Sequence, residues 1–289
     1  MSVLSAVANY HCQVGENPLW DEREGRLYWA DIESARLFRV DHESGAHECF
    51  YQDQQAGARI GGFTFQADGS LLLFEADRIA QLSKSGKHRV LAEGIDLDMV
   101  RFNDVIADPE GRVFAGTIGK TEHSGGLFRI DLDGSITPLW RGTGCANGMG
   151  FTPDLRRFYW TCSTTRRIFV ADYQRETGAL HNRREFYCAP AAEGTPDGMT
   201  VDSAGSLWTA RWGGSALLRL TADAELAESV SFPVSAVSSA AFGGPNLDVL
   251  YVTTAGGKAA GADAAADGTL YRMQVAVPGT VEFRSRIRL

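Results

Sequence analysis

Short apolar and aromatic runs recur along the chain, each preceded by a polar turn that commonly ends in glycine. The phrase reads Asp21-EREGRLYWAD, Gln66-ADGSLLLFEA, Asp108-PEGRVFAGTI, Thr152-PDLRRFYWTC, Asp202-SAGSLWTARW and Gly244-PNLDVLYVTT. Aligned on the residue before each apolar run, the copies fall at Gly25, Gly69, Gly111, Arg156, Gly205 and Asp248, 42 to 49 residues apart. Further runs, such as Arg36-LFRVD, Gly126-LFRIDLDGS, Arg167-IFVADYQRETG, Ala216-LLRLTADAE and Thr269-LYRMQV, alternate apolar with polar residues between Gly, Asp and Asn. Alternation with period two is the mark of a half-buried strand, and no segment sustains the 3.6-residue period of a long amphipathic helix. Four short strands per repeat of roughly 40–50 residues make a propeller blade. The pattern therefore predicts an all-β, six-bladed β-propeller with four antiparallel strands per blade, as one domain over residues 1–289. A propeller closes by pairing its ends, so Val3 to Val14 and Val281 to Leu289 are expected to share one blade. The small-residue stretch Ala255 to Gly268 is expected to be a surface loop.

If the innermost strand of each blade runs into the recurrent turn, residues at equal register meet at one mouth of the central channel, where propellers bind ligands. Five positions before the six turn residues stand Glu16, Gly61, Asn103, Asn147, Asp197 and Ser239. Four of these are carboxylates or carboxamides. Singly, Asn-Gly, Pro-Asp-Gly and Asn-Asp are ordinary turn dipeptides. Together, two carboxylates and two amides crowded at one mouth would repel without a positive charge between them, and all-oxygen donors suit a hard divalent cation. Asp104, next to Asn103, should point the other way along an extended strand. Asn17 either supports the cluster or caps the turn before Pro18. Gly61 has no side chain and could leave room for a ligand.

Charge and cysteine usage narrow the function classes. Lys+Arg 28 against Asp+Glu 36 gives a net charge of −8, which disfavours a nucleic-acid partner. No apolar run reaches the ~20 residues of a membrane span, and the first ten residues lack the layout of a signal peptide. Five scattered cysteines without CxxC spacing predict reduced thiols and a cytoplasmic location. His11, His42, His47, His88 and His181 share no ligand spacing, which argues against a histidine-rich zinc site. Cys145 lies two residues before Asn147 and has no nearby histidine to mark it as a nucleophile. Trp29, Trp160 and Trp208 sit in the apolar runs, where packing between blades is the expected role.

The chain resembles the gluconolactonase / senescence marker protein / luciferin-regenerating enzyme (regucalcin-like) family of six-bladed propellers. The resemblance is carried by Gly15-Glu-Asn-Pro-Leu-Trp20, Arg101-Phe-Asn-Asp104, Phe114-Ala-Gly-Thr117, Asn147-Gly148 and Pro196-Asp-Gly-Met-Thr-Val-Asp202. It continues through Leu207-Trp208, Arg211-Trp-Gly-Gly214, Phe242-Gly-Gly-Pro245 and Leu250-Tyr-Val-Thr-Thr254. It implies a metal-dependent lactonase acting on a gluconolactone-like aldonolactone, with Glu16, Asn147 and Asp197 as metal ligands and Asp197 also as general base. Arg101 and Asn103 would then bind substrate, and Arg101 could instead be spent on a salt bridge with Asp98 or Asp104. Calcium is the expected ion, with Mg²⁺, Mn²⁺, Zn²⁺ or Fe²⁺ as alternatives. The family often sends an acidic residue to the substrate from the loop after Thr117. Here Thr121 stands at that place, and Glu122 and His123 beside it are expected to face solvent. The expected partner is a small sugar lactone, with no nucleic acid, membrane or obligate protein partner. Two other readings stay open: an esterase or phosphotriesterase on the same cation, and a non-catalytic interaction propeller.

Overall fold

The computed structural model describes residues 3–96, 98–256 and 268–289. Its strands form six four-stranded antiparallel sheets. Blade I holds β2 (Gly15–Asp21), β3 (Arg26–Asp31), β4 (Arg36–Asp41) and β5 (His47–Gln52). Blade II holds β6 (Ile60–Phe65), β7 (Leu71–Glu75), β8 (Ile79–Leu82) and β9 (His88–Ala92). Blade III follows with β10 (Met99–Ala107), β11 (Val113–Gly119), β12 (Gly125–Ile130) and β13 (Ile136–Thr143). Blade IV comprises β14 (Ala146–Phe151), β15 (Arg157–Cys162), β16 (Arg167–Gln174) and β17 (Ala179–Cys188). In blade V come β18 (Thr195–Val201), β19 (Leu207–Trp212), β20 (Ala216–Leu220) and β21 (Leu226–Ser231). Blade VI orders β22 (Val237–Gly243), β23 (Val249–Thr254), β24 (Thr269–Gln274) and then β1 (Ser5–Asn9). Two single 3₁₀ turns, Ser163–Thr165 and Ala191–Glu193, are the helical segments among the described residues.

The six inner strands touch in ring order, β2, β6, β10, β14, β18, β22 and back to β2. They are buried from end to end apart from single positions, whereas outer strands such as β5 and β21 are mostly exposed. The apolar runs of the sequence are the buried second strands, such as β3, β7 and β23, while the inner strands carry polar residues among their buried positions and the outer strands carry the polar surface. Side chains of adjoining blades interlock in the cores. One core joins Trp208 and Leu217 of blade V to Val237, Leu250 and Met273 of blade VI. Another joins Trp29 and Phe38 of blade I to Tyr251 of blade VI. Trp29, Trp160 and Trp208 are buried among such neighbours, as expected; each fully buried large side chain contributes about 2–3 kcal/mol.

Ring closure is half as expected. β1 pairs antiparallel with β24, so the amino-terminal strand completes blade VI. The carboxy-terminal segment does not join it. Val281 to Leu289 instead crosses the lower end of the channel, where the Ser285 amide donates to Phe65 O, Arg286 to Gly111 O and Arg288 to Leu132 O. Its backbone pairs one residue at a time with blades II and III because a fourth place in blade VI is already filled by β1. Of the stretch 255–268, residues 257–267 lie outside the described residues. Among the described residues, no helix is long and apolar enough to cross a membrane.

Candidate functional site

Each inner strand begins at the upper mouth and ends in the recurrent lower turn, so residues near its start line the mouth. All six carry a register shift there: Glu16/Leu19, Ile60/Gly62, Phe102/Val105, Asn147/Met149, Pro196/Met199 and Val237/Ser239. A bulge leaves residues unpaired and re-aims their side chains. Repeated six times at one level, it presents a ring of polar groups to the channel. Close strand approach is part of the same device. A Cβ on Gly61 would collide with the Phe102 carbonyl of blade III, and one on Gly148 with the Asp197 carbonyl of blade V. Gly61 therefore serves strand packing; the space that sequence reasoning assigned to a ligand is filled by β10.

The structure brings the predicted residues together. Glu16, Asn103, Asn147 and Asp197 are all buried, at 4 to 7% exposure for the set of inner-strand polar residues that also includes Ser239. The Asn147 amide nitrogen donates to the Asp197 carboxylate and also to Ser163 Oγ at 3.3 Å. Ser163 Oγ in turn donates to Pro196 O at 2.8 Å, tying blade IV to the residue before Asp197. Asn103 Nδ2 donates to Ala146 O at 2.9 Å, which links blades III and IV. The Glu16 carboxylate accepts the Asn17 amide at 2.9 Å. Arg101 forms no salt bridge with Asp98 or Asp104; its Nη1 donates to Asn103 Oδ1 at 2.6 Å and to Phe102 O at 2.9 Å. Nε and Nη2 of Arg101 have no protein partner among the described residues.

Burial raises the proton affinity of Glu16 well above that of an ordinary carboxylate, and the charges of Asp197 and Asp104 raise it further. Asp197 is raised in the same way, by burial first and then by Asp104, against the opposing hydrogen bond from Asn147. Burial lowers the Arg101 pKa. The two carboxylates thus face one another with no guanidinium or ammonium bonded to either. Such a pair is unfavourable when both groups are charged, and a shared proton or a cation between them relieves it.

Asp104 overturns its expectation. Strict alternation turns it away from the channel, yet the β10 bulge lets it line the channel together with Pro18, Phe63, Met199 and Glu282. Burial pushes its pKa to about 7. Glu282, on the tail that crosses below, is also pushed to about 7, by burial and then by the charge of Asp104. Asn17 does more than cap its turn: its Oδ1 accepts the Phe63 amide and joins blades I and II. Cys145 lies within reach of the Asn103 and Asn147 amides at 3.7 and 3.8 Å, and burial followed by the Asp197 charge pushes its thiol up to about 12. It is a neutral lining group, and all five cysteines are free. Sequence reasoning missed Ser163, whose only signal was its place across the sheet from Cys145. Glu122 and His123 are exposed, as expected, and so is Thr121, in a turn closed by Ser124 Oγ accepting the Thr121 amide.

A second acidic group gathers Asp53, Glu75 and His88, with ligand atoms within 4.8 Å of one another. Arg78 already occupies it, bonding to Glu75 and, at 3.0 Å, to Asp53. There a guanidinium bonds both carboxylates, whereas at the upper mouth none is bonded to Glu16 or Asp197.

The description SMP-30/Gluconolactonase/LRE-like region matches residues 14–256. The chain is 46% identical over 294 residues to Pentonolactonase XacC of Haloferax volcanii, covering 99% of each chain. It is 30% identical over 296 residues to 6-deoxy-6-sulfogluconolactonase of Pseudomonas putida, covering 96% of this chain and 97% of that one. The fold of a luciferin-regenerating enzyme superposes with a TM-score of 0.89 at 26% identity, covering 99% of this chain and 100% of that chain.

Proposed function

The chain belongs to the SMP-30/Gluconolactonase/LRE-like family, and from that premise we propose that it is a sugar lactone lactonase working at the upper mouth of its channel. The observation that carries the reading is the burial of two interacting carboxylates, Glu16 and Asp197, with no basic side chain bonded to either, near the unpaired donors of Arg101. Near-full-length similarity to a pentonolactonase supports a five-carbon aldonolactone as the substrate class.

Glu16, Asn147 and Asp197 fit a hard divalent cation. Two carboxylates and a carboxamide give three oxygen donors, and a half turn of the Asn147 amide exchanges its nitrogen for its oxygen. A cation bound there would supply Lewis-acid polarisation of the lactone carbonyl. Three protein donors leave room for water and substrate. Calcium suits the all-oxygen set, and Mg²⁺, Mn²⁺, Zn²⁺ or Fe²⁺ are the alternatives.

The protein's own groups divide the remaining tasks. Asp197 accepts a proton from the attacking water, a contribution of about 10²–10⁴-fold for a positioned base. Water oxygen bonds to the carbonyl carbon, the ring carbon–oxygen bond breaks, and the ring oxygen leaves as a hydroxyl after taking a proton. The product is an open-chain hydroxy acid. Arg101 offers Nε and Nη2 to substrate oxygens while Asn103 holds the guanidinium through Nη1. Cys145, kept neutral, adds no competing charge.

The test is a panel of aldono-1,4- and 1,5-lactones, an aryl ester and a phosphotriester, assayed on chelator-treated protein with and without each divalent ion. The reading predicts ion-dependent turnover fastest on the sugar lactones. Turnover faster on the phosphotriester, or none on any lactone, would overturn it.

A further inference from the structure

A second arginine stands at the upper mouth. Arg59 is the last residue before β6, and Glu33 lies in the turn between β3 and β4; both connections open on the same face as Glu16. Arg59 Nε donates to Glu33 Oε2 at 2.8 Å, across the boundary between blades I and II. Only Nε is engaged. Both terminal nitrogens of Arg59 are without a protein partner among the described residues, and its side chain is 41% exposed.

Packing fixes where this pair sits. Gly61, two residues on, lies against the Phe102 carbonyl, and Phe102 separates Arg101 from Asn103. Arg59 is thereby held beside the Arg101 end of the pocket. Glu33 and Arg59 both act electrostatically on the Arg101 guanidinium, with opposite sign, so the three form one charged unit. On the blade III side, Thr121, Glu122 and His123 of the turn at 121–124 are exposed. As a stability device an ion pair this exposed contributes little, about 0–1 kcal/mol.

We propose that Arg59, steadied by Glu33, is a specificity-determining residue whose free terminal nitrogens bind ring hydroxyl oxygens remote from the reacting carbonyl. The inference rests on the lactonase reading and adds to it the side of the substrate that is recognised. Because Glu33 cancels the charge of Arg59, the pair offers directed donors without net positive charge. That suits an uncharged polyhydroxylated lactone rather than one carrying a carboxylate or sulfonate.

Two variants test it. The first, Arg59→Ala, is assayed on a pentono-1,4-lactone and on unsubstituted γ-butyrolactone. The ratio of kcat/KM between the two should fall about tenfold, the loss lying in KM, since a hydrogen bond from a charged donor is removed only from the hydroxylated substrate. Glu33→Gln exposes the charge of Arg59 and should raise kcat/KM for glucaro-1,4-lactone, which bears a carboxylate, relative to glucono-1,4-lactone. Thermal midpoints of both variants accompany the assays, to show that the ratios are read on folded protein. Either variant leaving its ratio at the wild-type value overturns the proposal. Wild-type protein inert toward every lactone would instead sink the parent reading, and this one with it.

Discussion

Asp21, Asp108 and Asp202 at the lower end of the channel are as buried as Glu16 and Asp197 at the upper mouth, at 4, 0 and 0% exposure against 7 and 6%. Their surroundings differ in kind. Asp21 accepts from Arg284 Nη2 at 2.6 Å and from the Arg23 amide at 2.9 Å. Asp108 accepts from Arg112 Nε at 2.6 Å, from Tyr173 Oη at 2.9 Å and from the amides of Glu110 and Arg112. Asp202 does the same with Arg219 and the amides of Ala204 and Ser206. Each lower carboxylate closes a turn and neutralises a guanidinium. At the upper mouth, five residues earlier on strands of the same kind, the carboxylates meet each other and an amide. Fully partnered acids hold the ring together. Acids left without a bonded basic partner are retained at a cost in stability, which the proposed cation would offset.

The sharpest way to break this comparison is to exchange the consequences of the two ends. Asp197→Asn should lower lactone turnover by about 10²–10⁴-fold, with a thermal midpoint in metal-free buffer no lower than that of the wild type. A marked loss of stability would make Asp197 one more structural acid. Asp202→Ala should behave in reverse. It strands the Arg219 guanidinium and should cost about 3 kcal/mol in urea unfolding, while kcat per folded molecule stays at the wild-type value. Gly61→Ala, which drives a methyl group into the Phe102 carbonyl, should destabilise by about 1–3 kcal/mol, read from the same unfolding curves. An unchanged midpoint would show that β6 and β10 are less closely packed than the structure has them.

Glu282 joins the two ends, and its effect is the smallest. Its folded pKa is raised from 4.5 to about 7 by burial and by Asp104. Between those values the folded protein keeps a proton that the unfolded chain has released, so stability falls as pH rises through that window and is highest below it. Glu282→Gln should remove this part of the slope in unfolding experiments from pH 4.5 to 8. A variant with the wild-type slope would place the titration elsewhere.

How much of this was legible in the chain depends on the range of the interaction concerned. The blades were readable because a strand writes its burial into neighbouring residues with period two, and six copies repeat the message. The upper cluster was readable because each inner strand runs into its recurrent turn from a bulge at the same level, so counting five residues back from Asp21, Asn147's partner turn at Thr152 or Asp202 lands at one height. Asp104 was misplaced because alternation assumes an unbroken ladder, and the bulge between Phe102 and Val105 breaks it. Gly61 was misread because its reason for lacking a side chain is a carbonyl in the next blade, forty-one residues away. The Val281–Leu289 tail has the composition of a strand, but which sheet it meets is settled by β1 having taken the last place in blade VI. The Arg59–Glu33 pair left no local trace, since it joins turns of different blades.

The central claim is that the upper mouth is built around a divalent ion held by Glu16, Asn147 and Asp197. Crystals of the full chain soaked in Mn²⁺ and measured for anomalous scattering test it most directly. The account predicts one strong peak bounded by oxygens of those three side chains, absent in Asp197→Asn crystals treated alike. A peak lodged at Asp53, Glu75 and His88 instead, or no peak at the upper mouth, would contradict it.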